Sequence, residues 1–110
     1  MAIGFVGTIQ QSKGAILNRA LNFTRHLAHP SAVTISTADI PDVTGITITN
    51  DAPNLATFIN DEEETVAIRK GVLFTLNTTA ATIGTTYTLT VTITTSASET
   101  DVYTFDVEVI

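Results

Sequence analysis

The stretch Thr86-Tyr87-Thr88-Leu89-Thr90-Val91-Thr92-Ile93-Thr94 alternates polar and apolar residues without a break over nine positions. A period of two sends successive side chains to opposite faces of a strand and cannot build the apolar stripe of a helix. Tyr87, Leu89, Val91 and Ile93 are expected to face a core, and the five threonines to face outward. Tyr103, Phe105, Val107 and Val109 repeat the pattern against Thr104, Asp106 and Glu108, with Ser96-Ala97-Ser98-Glu99 between the two runs as a turn. The end of the chain therefore predicts a β-hairpin. Tyr87 stands two residues before a core position on the penultimate strand, the place of a tyrosine corner, where the ring packs inward and the hydroxyl bonds nearby backbone. That role is structural.

From Ser31 onward Thr, Val and Ile dominate, residues whose branched side chains suit a pleated surface. Val33 and Ile35, then Ile46 and Ile48, then Val72, Phe74 and Leu76 repeat the alternation over shorter runs. Thr57-Phe58-Ile59 and Thr65-Val66-Ala67-Ile68 read as two further short strands around the acidic turn Asn60 to Glu64. Pro41 to Gly45, Asn50 to Asn54 and Gly84-Thr85 supply turn chemistry between the runs. About seven short strands with no helix between them predict an all-β domain over residues 31–110, an immunoglobulin-like antiparallel β-sandwich; a small Greek-key barrel is the second arrangement.

At 110 residues there is room for one such domain, and 44% hydrophobic against 15% charged residues is not the composition of a disordered chain. With no Cys there are no disulfides, thiol nucleophiles or thiolate metal sites. The net charge of -6 is unevenly placed: residues 1–30 hold Lys13, Arg19 and Arg25 and no acid, while the remainder holds all 11 acids against Arg69 and Lys70. So acidic a body argues against nucleic acid as the partner.

The first 30 residues break the strand pattern. Ala2 to Ile9 can extend, and Gly14 to Leu27 puts Leu17, Leu21 and Phe23 or Leu27 at partly helical spacing, until His29-Pro30 ends it. These residues predict an N-terminal docking arm, extended or partly helical. Leu17, Leu21, Phe23 and Leu27 would bury against a partner, and Lys13, Arg19 and Arg25 would pair with acidic groups there.

Candidate chemistry is sparse. Asp61-Glu62-Glu63-Glu64 lacks the alternating ligands of a calcium loop and reads as a solvated hairpin tip. Asp39, Asp42 and Asp51 could converge at one end of the sandwich, and His26 and His29 share a spacing but no nearby carboxylate. The threonine ranks read as exposed strand formers, since sheet twist and the facing Asp106 and Glu108 spoil a flat lattice. No nucleophile has an identifiable base near it and no phosphate loop occurs, so the expectation is no enzyme, no cofactor and no metal.

Two stretches carry a family resemblance. Ala15 to Leu27, followed by Val33-Thr34-Ile35-Ser36-Thr37 and Val43-Thr44-Gly45-Ile46-Thr47-Ile48, resembles the opening of the small phage fibre-tail adaptor and head decoration proteins. Gly84-Thr85-Thr86-Tyr87-Thr88-Leu89-Thr90-Val91 is similar to a late strand of the same family. Asn18 and Asn22 stand where that family tends to have acids, Arg19 where it has an aromatic and Phe23 where it has Trp, and against its pattern residues 51–71 look like an inserted hairpin. The resemblance implies a structural virion protein of a tailed phage, a capsid decoration or head-neck adaptor held by its arm. Its partners would be major capsid, portal, neck or other virion proteins and sister subunits in a homo-oligomeric assembly, with neither nucleic acid nor membrane. The alternative is a bacterial surface adhesion or carbohydrate-binding module. Met1 to Gly7 lacks the basic opening of a secretory signal and favours the virion, reached from the host cytoplasm.

Overall fold

The structure, a computed structural model, describes residues 3–27, 33–60 and 62–110. Among these described residues nine strands occur in chain order: β1 (Ile3–Gln11), β2 (Ile16–Asn22), β3 (Ile35–Asp39), β4 (Thr47–Pro53), β5 (Phe58–Ile59), β6 (Thr65–Val66), β7 (Gly71–Asn77), β8 (Thr86–Thr95) and β9 (Thr100–Val109). The described residues contain no helix. The alternating stretch is β8, paired antiparallel with β9 from Thr86 opposite Glu108 to Thr94 opposite Thr100. Leu89, Val91 and Ile93 are buried on one face with Tyr103, Phe105, Val107 and Val109, as the period of two requires.

One sheet has four strands in the order β1-β9-β8-β3, and a second has three in the order β2-β7-β4. β1 runs parallel to β9, and the other pairings are antiparallel. The two sheets share a core, in which Phe74 of β7 meets Phe105 of β9 with ring centroids 5.5 Å apart. β5 and β6 form a separate two-stranded hairpin. It sits over Gly71, where an added Cβ would lie 3.0 Å from Val66 and 3.1 Å from Phe58.

The N-terminal segment departs from the expected arm. β1 and β2 are strands of the two sheets, β2 pairing with β7 through seven successive positions from Ile16 opposite Asn77 to Asn22 opposite Gly71. Leu21 and Phe23 belong to the core at 5% and 0% exposure, and Leu27 packs against it. Tertiary pairing overrides the local pattern here: the spacing of Leu17, Leu21 and Phe23 satisfies a helix only in part, whereas β7 offers a full ladder. His29 and Pro30 lie outside the described residues.

Candidate interaction surface

The basic residues of the first segment serve internal joints. Lys13, in the turn between β1 and β2, donates from Nζ to the Ala81 carbonyl at 2.6 Å and to that of Thr79 at 3.4 Å. Arg19, on β2, donates to the Gln10 carbonyl and to Gln11 Oε1 on β1, both at 2.9 Å. Arg25 pairs with Glu64 of the hairpin turn at 3.3 Å, and its side chain is 83% exposed. Elsewhere Arg69 donates to the Ile35 and Ser36 carbonyls and Lys70 to that of Val33. Four of the five cations thus end on backbone carbonyls. Cationic donors on a carbonyl make stronger hydrogen bonds than neutral ones and are well used to tie chain segments together.

Phe23 stacks edge-on against Tyr103 with centroids 5.2 Å apart, and His26 closes the trio at 5.3 Å from Tyr103. The Tyr103 hydroxyl donates to the His26 carbonyl at 3.0 Å. Burial pushes the Tyr103 pKa above its ordinary value, and the nearby Asp101 charge adds to this. Leu17 stays 46% exposed on β2, the most open of the arm's proposed apolar contacts.

Tyr87 packs on Gly45, whose φ of +94° excludes an ordinary side chain and leaves room for the ring; a Cβ there would lie 3.1 Å from the Tyr87 hydroxyl. The Thr82 amide donates to that hydroxyl at 2.9 Å. The same donated hydrogen bond holds the Tyr87 pKa below its ordinary value, because it favours the phenolate.

Two of the three aspartates raised as metal candidates bond backbone amides. Asp42 accepts from the Ile48 amide at 2.8 Å and Asp51 from the Ile40 amide at 2.6 Å. No group of three or more His, Asp or Glu that could hold a metal occurs among the described residues. In the acidic turn, Asn60 Oδ1 accepts from the Glu62 and Glu64 amides, so an amide side chain shapes the tip while Glu62 and Glu63 face solvent. Asp61 lies outside the described residues.

Three buried polar residues carry joints that the sequence did not mark. Asn54, fully buried, donates to the Ala56 and Ala67 carbonyls and accepts from the Gly71 amide, closing the base of the hairpin. Gln11 donates to the Leu76 carbonyl at 2.8 Å, and the Thr78 hydroxyl donates to that of Ser12 at 2.7 Å. No periodic signal finds them: Gln11 stands between Gln10 and Ser12, Thr78 between Asn77 and Thr79, and Asn54 at the end of a turn-rich run, so none is set apart from its polar neighbours.

These elements leave an open cleft of about 1020 Å³ between β1, β2 and the hairpin. A smaller recess of about 270 Å³ continues it toward Arg25, His26 and Glu64. Thr8, Ile9 and Gln10 of β1 and Asn18, Arg19 and Ala20 of β2 line the larger part. Phe58 and Ile59 form the hairpin wall, and Leu73 the sheet face beside it. No family model matches the chain, and no curated protein or solved structure shows significant similarity to it.

Proposed function

We propose that the chain is an immunoglobulin-like structural module of a tailed-phage particle, working by assembly with neighbouring virion proteins rather than by catalysis. The observation that carries this reading is the strand order. With the β5-β6 hairpin set aside as an insertion, the second, fifth and fourth strands share one sheet, and the third, sixth, seventh and first share the other. This order is consistent with the division of an immunoglobulin sandwich, with the first strand laid parallel to the last, and supports that reading. The Tyr87 hydroxyl reaching back five residues to the Thr82 amide supports the same arrangement. The sequence resemblance to adaptor and decoration proteins is what supports a role in a particle. Attachment through a free arm gives way to attachment through the surface of the folded domain, since the arm's apolar residues Leu21 and Phe23 are in the core.

Mass spectrometry and electron microscopy of purified particles test this. A stoichiometric virion component with density at the head or neck is the expected result. Absence from particles together with recovery from a cell envelope overturns it in favour of an adhesion module.

A further inference from the structure

We infer that the cleft between β1 and β2 is a strand-addition site, which receives one uncharged, extended segment of another polypeptide along the edge of β2. The first ground is the state of the four edge strands of the two larger sheets. β1, β3 and β4 each carry a register shift, at Phe5 to Thr8, Ile35 to Thr37 and Thr49 to Ala52. Such irregularities blunt an edge against pairing. β2 alone among the four holds an unbroken register, and among the described residues its outer edge has no partner strand, only the Arg19 side chain reaching across to Gln10 and Gln11 of β1.

The second ground is the shape of the cleft. Five consecutive residues of β2, from Asn18 to Asn22, line the larger part or its continuation. β7 adds Leu73, Phe74 and Thr75 from inside the same sheet, and β2 is the strand of that sheet whose edge borders the cleft. Five residues at about 3.4 Å each give a track of roughly 17 Å, enough for a short strand.

The walls select the occupant. A second copy offering its own β2 would bring its own β1 and hairpin against the same walls, so a lone strand fits where a whole edge does not. Along the track Arg19 and Arg25 stand against Glu62, Glu64 and Glu108, a near balance that favours a segment without net charge. Alternate side chains of such a strand would meet the partly buried Val6 and Ile9 on one side, and Ile59 and Leu73, 70% and 39% exposed, on the other. Backbone bonds would supply affinity and these two apolar sides the choice of sequence. The inference holds whether or not the donor belongs to a phage particle.

A random heptapeptide library screened against the full chain tests it, followed by hydrogen exchange with the enriched peptides. Uncharged peptides with alternating apolar residues should be enriched, and they should protect the amides of Asn18 to Asn22. N-methylation of alternate peptide bonds should abolish binding in one parity and spare it in the other, which only strand pairing explains. Ile59→Lys, at a 70% exposed position, should weaken binding about tenfold without unfolding the protein. No enrichment, protection confined to other strands, or indifference to N-methylation would overturn the inference. So would occupation of the cleft by neutral oligosaccharides in place of every peptide.

Discussion

Arg19 Nε donates to Gln11 Oε1 at 2.9 Å, joining β2 of the three-stranded sheet to β1 of the four-stranded one. Gln11 is 2% exposed and spends its amide nitrogen on the Leu76 and Ala15 carbonyls, so its oxygen has Arg19 as its donor. Arg19→Leu leaves a buried acceptor unpaired and should cost about 1–3 kcal/mol. In a double-mutant cycle with Gln11→Leu the two effects should fall short of additivity by about 0.5–3 kcal/mol. Urea unfolding measures both, and strict additivity would show that the pair does not couple the sheets.

Removal of the N-terminal segment distinguishes an arm from a piece of the core. Deleting residues 1–27 takes away two strands, an edge from each sheet, together with buried Leu21 and Phe23. The remainder should fail to fold, as judged by circular dichroism and loss of a cooperative transition. Phe23→Ala in the full chain should cost about 3–5 kcal/mol, since the ring is fully buried against Tyr103. A cooperative, β-rich 28–110 fragment would restore the separable arm.

The two tyrosines should pull stability in opposite directions at alkaline pH. Tyr103 is raised above the ordinary 10.0, so its contribution is fully present below that value and is lost as pH climbs through its folded pKa. Tyr87 is lowered, so its contribution is present above 10.0 and lost as pH falls through its folded pKa. Stability should therefore rise slightly on approach to 10.0 and fall beyond it. Tyr103→Phe should flatten the fall and Tyr87→Phe the rise, with a lowered urea midpoint near neutrality for the latter because the Thr82 amide loses its acceptor. Tyrosinate absorbance of each single variant gives the titration directly, and identical curves would refute the assignment.

What the sequence made legible follows from the reach of each signal. Strict alternation from Thr86 to Thr94 located β8, its inward face and the turn into β9, because an exposed rank of threonine against a buried rank of Leu, Val and Ile needs no tertiary knowledge. The shorter runs around Ile35, Ile48, Phe58, Val66 and Phe74 likewise each mark a strand. β2 was hidden. Its residues Ile16, Leu17 and Asn18 are all exposed and only Leu21 is buried, so an edge strand with a polar middle carries no clean period. The cleft was hidden for the same reason, being made of backbone edges and of a hairpin folded over Gly71, neither of which has a compositional mark. Charge misled in its own way: three bases without an acid suggested a docking surface, whereas Lys13 and Arg19 are fixed on carbonyls of the same domain.

Gly71 tests how the hairpin wall is held. It pairs with Asn22 at the end of β2, and a Cβ there would lie 2.8 Å from the Leu21 carbonyl oxygen, 3.0 Å from Val66 and 3.1 Å from Phe58. The nearest obstacle is β2 backbone, so position 71 must shift away from the Leu21 carbonyl, and the hairpin side chains Val66 and Phe58 are the neighbours that can give way. Gly71→Ala should destabilise the domain by about 1–3 kcal/mol, in the range of other overpacked sites. The damage should be local at first. Val66 of β6 is fully buried and seats the hairpin, and Asn54 closes its base through the Gly71 amide, so residues 55–68 should become sensitive to protease before the two larger sheets unfold. Limited proteolysis with mass mapping, set beside the urea midpoint, separates the outcomes. Cleavage that starts in β8 or β9, or a variant as resistant as the parent, would show that the close approach at Gly71 is not what seats the hairpin.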